Sequence, residues 1–531
     1  MRELVANAVA APRFSCTYVQ SFADADPCDR ALLGDKGAML CALTQMGIKV
    51  PPGFVVTAQA GLAFGASSDG RWPRGLKEEI LYRLTELERT TGRRLGDPER
   101  PLLLAVRCGT STGVGTVFNV GINDEVLGAL RDEYQDSLFV ADSCWRFVRS
   151  FSVTALGVSS EQLEDWYADA LASGSDMVGE GCHMLFELVH RQTGYIVPED
   201  AHEQLWTAIA GVFNACADMR ARRSKSEADA EHSDIAVSVM AMAFGNLSIS
   251  SGAGVAVTRN PHSGERRVCG EFLFAAHGED VSAGRRATHA LDDLSRLMPE
   301  VWCGIQCMAA DLERHFREVQ EFEFTFERGV LYCLQTRNAL LTADAATRSS
   351  VEMVQEGLID KRRAMARVNI GDLRRTAKVS AGTLSSERAL TQGKPISGTM
   401  ACGAVVFDAA SAIAQGQAGV AIILVCEELG PDEVKAIHAA AGVLTSHGDA
   451  ASQVAATARY AGKPCIIGAE DVEIDAAAKM AFIRDTSLVE GDVLTIDGQT
   501  GNVYAGAVAA SAMSAAPQRE QLLAWADETK V

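Results

Sequence analysis

The sequence predicts a mixed α/β (α+β) fold in two successive parts, and three observations predict it. Short strands and helices mix over the first 120 residues, and strands return over 236–340 after a mainly helical stretch. A segment at 321–338 alternates polar and apolar side chains along two arms, the period of a half-buried hairpin. From Pro395 small residues dominate and short strands recur, the composition of a compact β/α domain.

Leu32 to Gly37 reads as a turn into a helix, and Val50 to Val56 as a turn entering a strand. Leu76, Ile80, Leu81, Leu84 and Leu87 fall on one face of a helix over 76–90. Leu102 to Val106 is a buried strand, and 127–220 is mainly helical. Ala221 to Ser233, charged and alanine-rich, is a loop. Strands and glycine turns return over 236–340, and one helix covers 344–367 through Val351, Met353, Val354, Leu358 and Met365. Residues 367–394, without sustained apolar periodicity, are a linker with a hinge role. Strands follow at 404–407, 420–426, 443–445, 465–468, 493–497 and 502–504, and 507–531 form a tail with one short amphipathic helix.

The 531 residues carry 47% hydrophobic and 22% charged side chains, enough for several domains with real cores. The formal net charge of −20 disfavours nucleic acid as a partner. No apolar run suits a membrane span, and no basic segment followed by an apolar one suggests a secretory signal. The fourteen cysteines are scattered, with Cys303 and Cys307 at helical rather than zinc-ribbon spacing. They are expected to be reduced, mostly buried thiols of a cytoplasmic protein.

In the hairpin, Phe322, Phe324, Phe326, Tyr332 and Leu334 share one face, while Glu321, Glu323, Gln335 and Arg337 share the other. A three-residue turn at Arg328-Gly329 would set Glu323 opposite Gln335 and Glu321 opposite Arg337. Two carboxylates, an amide oxygen and a guanidinium suit a Mg²⁺–triphosphate, because hard oxygens hold Mg²⁺ and arginine grips phosphate. A solvated surface hairpin is the competing reading. Lys36 in Gly34-Asp35-Lys36-Gly37 offers an ammonium on a tight turn. Arg107 precedes a glycine- and hydroxyl-rich loop at 108–115 whose amides can approach an anion. A second cluster spans Ser251–Pro261 and Gly270–Val281, where Arg259, Glu271 and Arg286 would be costly to bury without a ligand or partner. A salt-bridge network is the alternative there.

Together these stretches resemble the pyruvate phosphate dikinase and phosphoenolpyruvate synthase family. The ordered matches include LLGDKGAML, PPGFVVT, LLLAVRCGT, SGAGVAVTRNPHSGE, EFEFTFERGVLYCLQTRN, GKPCIIG and GDVLTIDGQTGNVYAG. The resemblance implies an ATP-grasp-type nucleotide-binding domain over 1–366 and a swivelling phosphohistidine-type domain over 395–506. It implies that Lys36 and Arg107 bind ATP phosphates and that Met240, Ala241 and Met242, through Ala243, line the adenine pocket. Glu271 and Glu279 count among the nucleotide-binding residues. Glu323 and Gln335 would hold Mg²⁺, with Glu321 where the family usually has Asp, and Arg337 would contact the transferring phosphate. Arg337, Lys36 and Arg107 are the implied catalytic residues.

The chain also departs from the family. The carrier signature reads Gly448-Asp449-Ala450-Ala451-Ser452-Gln453, so the carrier histidine is Gln453, whose amide lone pair is delocalised. Thr445-Ser446-His447 imitates the signature six positions early, which makes His447 a candidate relocated carrier or a plain loop histidine. The glycine loop after Arg107 is shortened, Asp35 adds a negative charge beside Lys36, and the phosphoenolpyruvate/pyruvate barrel is expected to be absent. The function expected is ATP- and Mg²⁺-dependent phosphoryl transfer to a small acceptor. The alternatives are a split dikinase component using His447 with a protein partner that supplies the acceptor domain, or a nucleotide-binding regulator. A homodimer is compatible with each.

Overall fold

The computed structural model describes residues 18–528 apart from 67–70, 110–114, 173–180, 223–235, 284–285, 369, 371–388, 398–399, 429–433, 449–454, 456, 459–462, 476–477, 485, 499 and 507–515. By contact density it divides into two units, residues 1–248 with 332–335, and 249–331 with 336–531. The break at Ser248/Ile249 falls inside the segment expected to be one nucleotide-binding domain.

In the first unit an antiparallel sheet runs in the order β1 (Val19–Ser21), β2 (Gly53–Val56), β5 (Val237–Ala241), β3 (Leu104–Cys108), β4 (Thr116–Val120). Both faces are covered, so β5 is buried at every position. Phe54, Val56, Val237 and Val239 point into one core with Phe147 and Phe151 of α3 (Ser137–Leu156) and Leu205 and Ile209 of α4 (Ala201–Arg222). Val55 and Met240, one residue out of phase, point into a second core with Leu33, Leu40 and Cys41 of α1 (Arg30–Gln45). The expected helix at 76–90 is α2 (Leu76–Thr91). Helix α1 breaks at Gly34, whose φ of 70° and ψ of 164° only glycine adopts easily, and a new helical run starts beside Lys36.

The second unit opens with a five-stranded antiparallel sheet. It is ordered His289–Ala290, β7 (Cys269–Phe274), β6 (Gly252–Val257), β8 (Gln320–Glu327), β9 (Val330–Asn338). Phe322, Phe324 and Phe326 are buried as the period-two pattern requires. Phe324 and Phe326 pair with Gly254 and Gly252. A Cβ on Gly254 would lie 2.4 Å from the Phe324 ring, so the glycines make room for the aromatic rings. The expected three-residue turn is corrected: Arg328 (φ 47°) and Gly329 (φ 81°) alone join the arms, the two positive φ values of a type I′ turn. Tyr332–Gln335 group with the first unit, where the Cys333 N–H donates to the Lys49 carbonyl at 2.9 Å.

The helix expected over 344–367 is two helices, α6 (Ala343–Gln355) and α7 (Lys361–Ala366), because Gly357 turns the chain at φ 73°. Ahead of the hairpin lies α5 (Pro299–Phe316). The tail helix is α8 (Ala516–Glu528); Leu522 and Trp525 are buried with Val351 and Met353 of α6, and Lys361 lies 5.5 Å from the Trp525 ring.

The rest of this unit is an eight-stranded sheet ordered Thr391–Gln392, β16 (Asn502–Ala505), β15 (Val493–Asp497), β11 (Met400–Val406), β12 (Ile422–Cys426), β13 (Gly442–Thr445), β14 (Cys465–Ile467), β10 (Lys394–Ser397). β11 to β14 are mutually parallel and the flanking strands antiparallel. A three-stranded sheet over Val472–Asp475, Met480–Ile483 and Thr486–Val489 was not expected.

Cys108 of β3 and Cys216 of α4 meet in the core between strand and helix, with Cα atoms 7.0 Å apart. Cys28, Cys303, Cys307 and Cys402 are exposed rather than buried. Burial pushes the Cys41 thiol up to about 12, so it stays protonated and inert. Among the described residues no helix is long and apolar enough to cross a membrane.

Candidate active site

The hairpin's acidic face opens into a cavity of about 510 Å³ in the second unit, lined by Glu271, Thr288, Glu321, Glu323, Arg337 and Lys394 among others. Adjacent strands supply the carboxylates: Glu323 pairs with Val255 on β6, and Val255 with Glu271 on β7. Arg337 donates to Glu321 through both Nε, at 3.1 Å, and Nη2. With Gln320 reaching Asn338 at 2.8 Å, the open end of the hairpin keeps Glu321 beside Arg337 as expected, while Gln335 is not among the residues that wall the cavity. Glu271 accepts from the Thr288 hydroxyl. The Glu323 carboxylate makes no hydrogen bond or ion pair among the described residues. This half-buried carboxylate therefore has its lone pairs open to the cavity.

Among the described residues no three His, Cys, Asp or Glu side chains cluster as a closed metal cage. Glu279 lies on a short helix, Gly278–Ala283, and is not among the residues that wall the cavity.

In the first unit the Lys36 N–H donates to the Gly109 carbonyl at 3.5 Å, which sets Lys36 beside the segment that follows Arg107. Lys36 is 8% exposed, and the negative charge of Asp35 is taken up by Arg30 at 3.2 Å. Among the described residues the buried Arg107 Nε has no acceptor. A buried donor left unsatisfied costs about 1–3 kcal/mol. Replacing Arg107 with Met is therefore expected to leave the ligand-free protein within about 1 kcal/mol of wild-type stability. Thermal melting checks this, and a much larger loss would mean that Arg107 serves the fold. The loop residues 110–114 lie outside the described residues, as does Gln453. Of the residues expected to line an adenine pocket, Met240 and Ala241 are committed to the two cores, while Met242 is half-buried and donates its N–H to the Leu103 carbonyl at 2.9 Å.

Of the expected site residues, Lys36, Arg107, Met240–Met242 and Gln335 belong to the first unit, and Glu271, Glu279, Glu321, Glu323 and Arg337 to the second. His447 sits just past the end of β13, exposed, with Nδ1 3.0 Å from the Ser446 hydroxyl and its N–H donated to the Glu427 carbonyl at 2.8 Å.

The arginines of the second glycine-rich cluster divide. Arg286 is exposed and donates to the Phe274 and Ala275 carbonyls. Arg259 is fully buried and binds Glu313 at 2.9 Å, Glu356 at 2.7 Å and Glu352 at 3.4 Å. Burial alone would lower its pKa, but the hydrogen bonds and charges of Glu313 and Glu356 outweigh that and raise it above the ordinary arginine value. Arg259 is thus the salt-bridge network, and it anchors the turn Asn260–His262, whose residues form part of the cavity wall. Lys394 and Thr288 were not foreseen. Period-two reading finds groups on one hairpin but not those that neighbouring strands deliver.

Two family models match the chain. Pyruvate phosphate dikinase, AMP/ATP-binding domain, covers residues 30–292, and PEP-utilising enzyme, mobile domain, covers 419–501. The chain is 34% identical over 529 residues to a pyruvate, phosphate dikinase of Rhizobium meliloti, covering 94% of this chain and 59% of that one. It is 36% identical over 509 residues to that of Entamoeba histolytica, covering 92% and 57%. This chain belongs to the pyruvate phosphate dikinase family. The dikinase of Clostridium symbiosum is 32% identical over 96% of this chain and 60% of its own. The chain therefore spans somewhat under two thirds of the length of these dikinases.

Proposed function

We propose that this chain is an ATP- and Mg²⁺-dependent phosphotransferase of the dikinase type that hands a phosphoryl group to a small acceptor without a phosphohistidine at position 453. The observation that carries this reading is Glu323, whose carboxylate has no polar partner among the described residues and faces a cavity shared with the Glu321–Arg337 pair. Glu321 and Glu323, with Gln335, are the residues that would hold Mg²⁺, which when bound neutralises charge on the phosphates. Arg337, Lys36 and Arg107 would bind and orient those phosphates, because phosphoryl transfer is catalysed mainly by positioning and charge stabilisation. Met242 and its neighbours would take the base. A cytoplasmic location belongs to this reading.

The substitution Gln453→His is expected to give little or no gain in turnover, since restoring the imidazole does not restore an acceptor site. A large gain without any partner would count against direct transfer. A second reading, a relay through His447 to a partner bearing an acceptor domain, draws on the contact between Nδ1 and the Ser446 hydroxyl. That contact leaves Nε2 free to act as the nucleophile when Nδ1 carries the proton. ³¹P NMR of the ATP reaction separates the two: a new phosphoester with ADP or AMP supports direct transfer, whereas an acid-labile phosphoramidate on the protein supports the relay.

A further inference from the structure

The cavity contains a cation that the reading above leaves unused. Lys394 begins β10, where it pairs with Ile467 of β14, and the preceding Gly393 N–H donates to the Gly501 carbonyl at 2.9 Å. Ile396, two residues on, is 2% exposed in the core of the β/α domain. The backbone of Lys394 is thus fixed to that domain. Its ammonium is exposed and makes no hydrogen bond or ion pair among the described residues, although Glu271, Glu321 and Glu323 wall the same cavity.

The carboxylates are otherwise engaged or reserved. Glu321 is taken by Arg337 and Glu271 by Thr288, and Glu323 faces the proposed metal position. Once a divalent cation joins Arg337 and Lys394, positive charge outweighs the three carboxylates, and the cavity favours an anion. An ammonium on a flexible four-carbon stem is suited to follow a phosphate chain as a mobile point charge.

Resting on the nucleotide reading, we propose that Lys394 is a phosphate-positioning residue contributed by the β/α domain. Its ammonium contacts the phosphate chain of Mg-ATP, and nucleotide occupancy thereby holds β10 against the cavity. Calorimetric titration of the full chain with Mg-ATP and, separately, with adenosine tests this. Losing a charge-assisted contact is expected to weaken Mg-ATP binding about tenfold or more in Lys394→Met. The loss should be greater in Lys394→Glu and small in Lys394→Arg, with adenosine binding unchanged in all three. A purely structural role would move both ligands together and overturn the proposal. So would Mg-ATP affinities of Lys394→Met and Lys394→Glu equal to wild type. Failure of the wild-type chain to take up Mg-ATP would instead remove the nucleotide reading, and this proposal with it.

Discussion

Replacing Glu323 with Ala is expected to abolish Mg-ATP-dependent turnover while the fold survives. The two halves of this expectation have one cause. The Glu323 carboxylate makes no hydrogen bond or ion pair among the described residues, so removing it leaves no buried partner stranded. The same openness makes it the carboxylate best placed to hold a cation in the cavity, since Glu321 is shared with Arg337. Losing one preorganised charge contact of this kind costs roughly 100-fold or more in turnover. Phosphate release or ³¹P NMR gives the rate, and circular dichroism and melting give the fold. Unchanged turnover would remove the metal platform; a collapsed melting temperature would recast Glu323 as structural.

The largest expected effect on stability is at Arg259. One guanidinium holds Glu313, Glu352 and Glu356, and so ties the end of β6 to α5 and to the C-terminal end of α6. Arg259→Met would leave Glu313, 5% exposed, with only the Thr258 hydroxyl at 2.7 Å among these contacts. Stranding a buried charge in this way costs about 3–5 kcal/mol, a large share of a typical domain's stability. Urea unfolding should show a lower midpoint, and Arg259→Met combined with Glu313→Leu should recover part of the loss because no charge is then stranded. The turn Asn260–His262 follows Arg259 directly, so nucleotide affinity should fall too. Wild-type stability in the single variant would refute the anchor.

The hairpin was legible because its pattern is local: phenylalanines at every second position can bury only one face, and the carboxylates must then share the other. The strands of the β/α domain were legible for a similar reason, each being a short apolar run between small residues and turns. Other features depend on residues far apart in sequence. Nothing near Arg259 announces Glu313 or Glu356, and Thr288 reaches Glu271 only because the edge strand His289–Ala290 pairs with β7. The Cys108–Cys216 contact joins residues 108 positions apart. Where local signals were misread, backbone geometry was the cause. Gly357 ends a helix that apolar spacing alone carries through, and Arg328 with Gly329 closes in two residues a turn counted as three.

Calorimetric titration of the full chain with ATP, once with Mg²⁺ and once with a chelator, tests the central claim most directly. The expected result is saturable uptake that is at least about tenfold tighter with Mg²⁺, since the carboxylates would hold the cation and the cation would neutralise charge on the phosphates. Equal affinity with and without Mg²⁺, or no uptake at all, would contradict it.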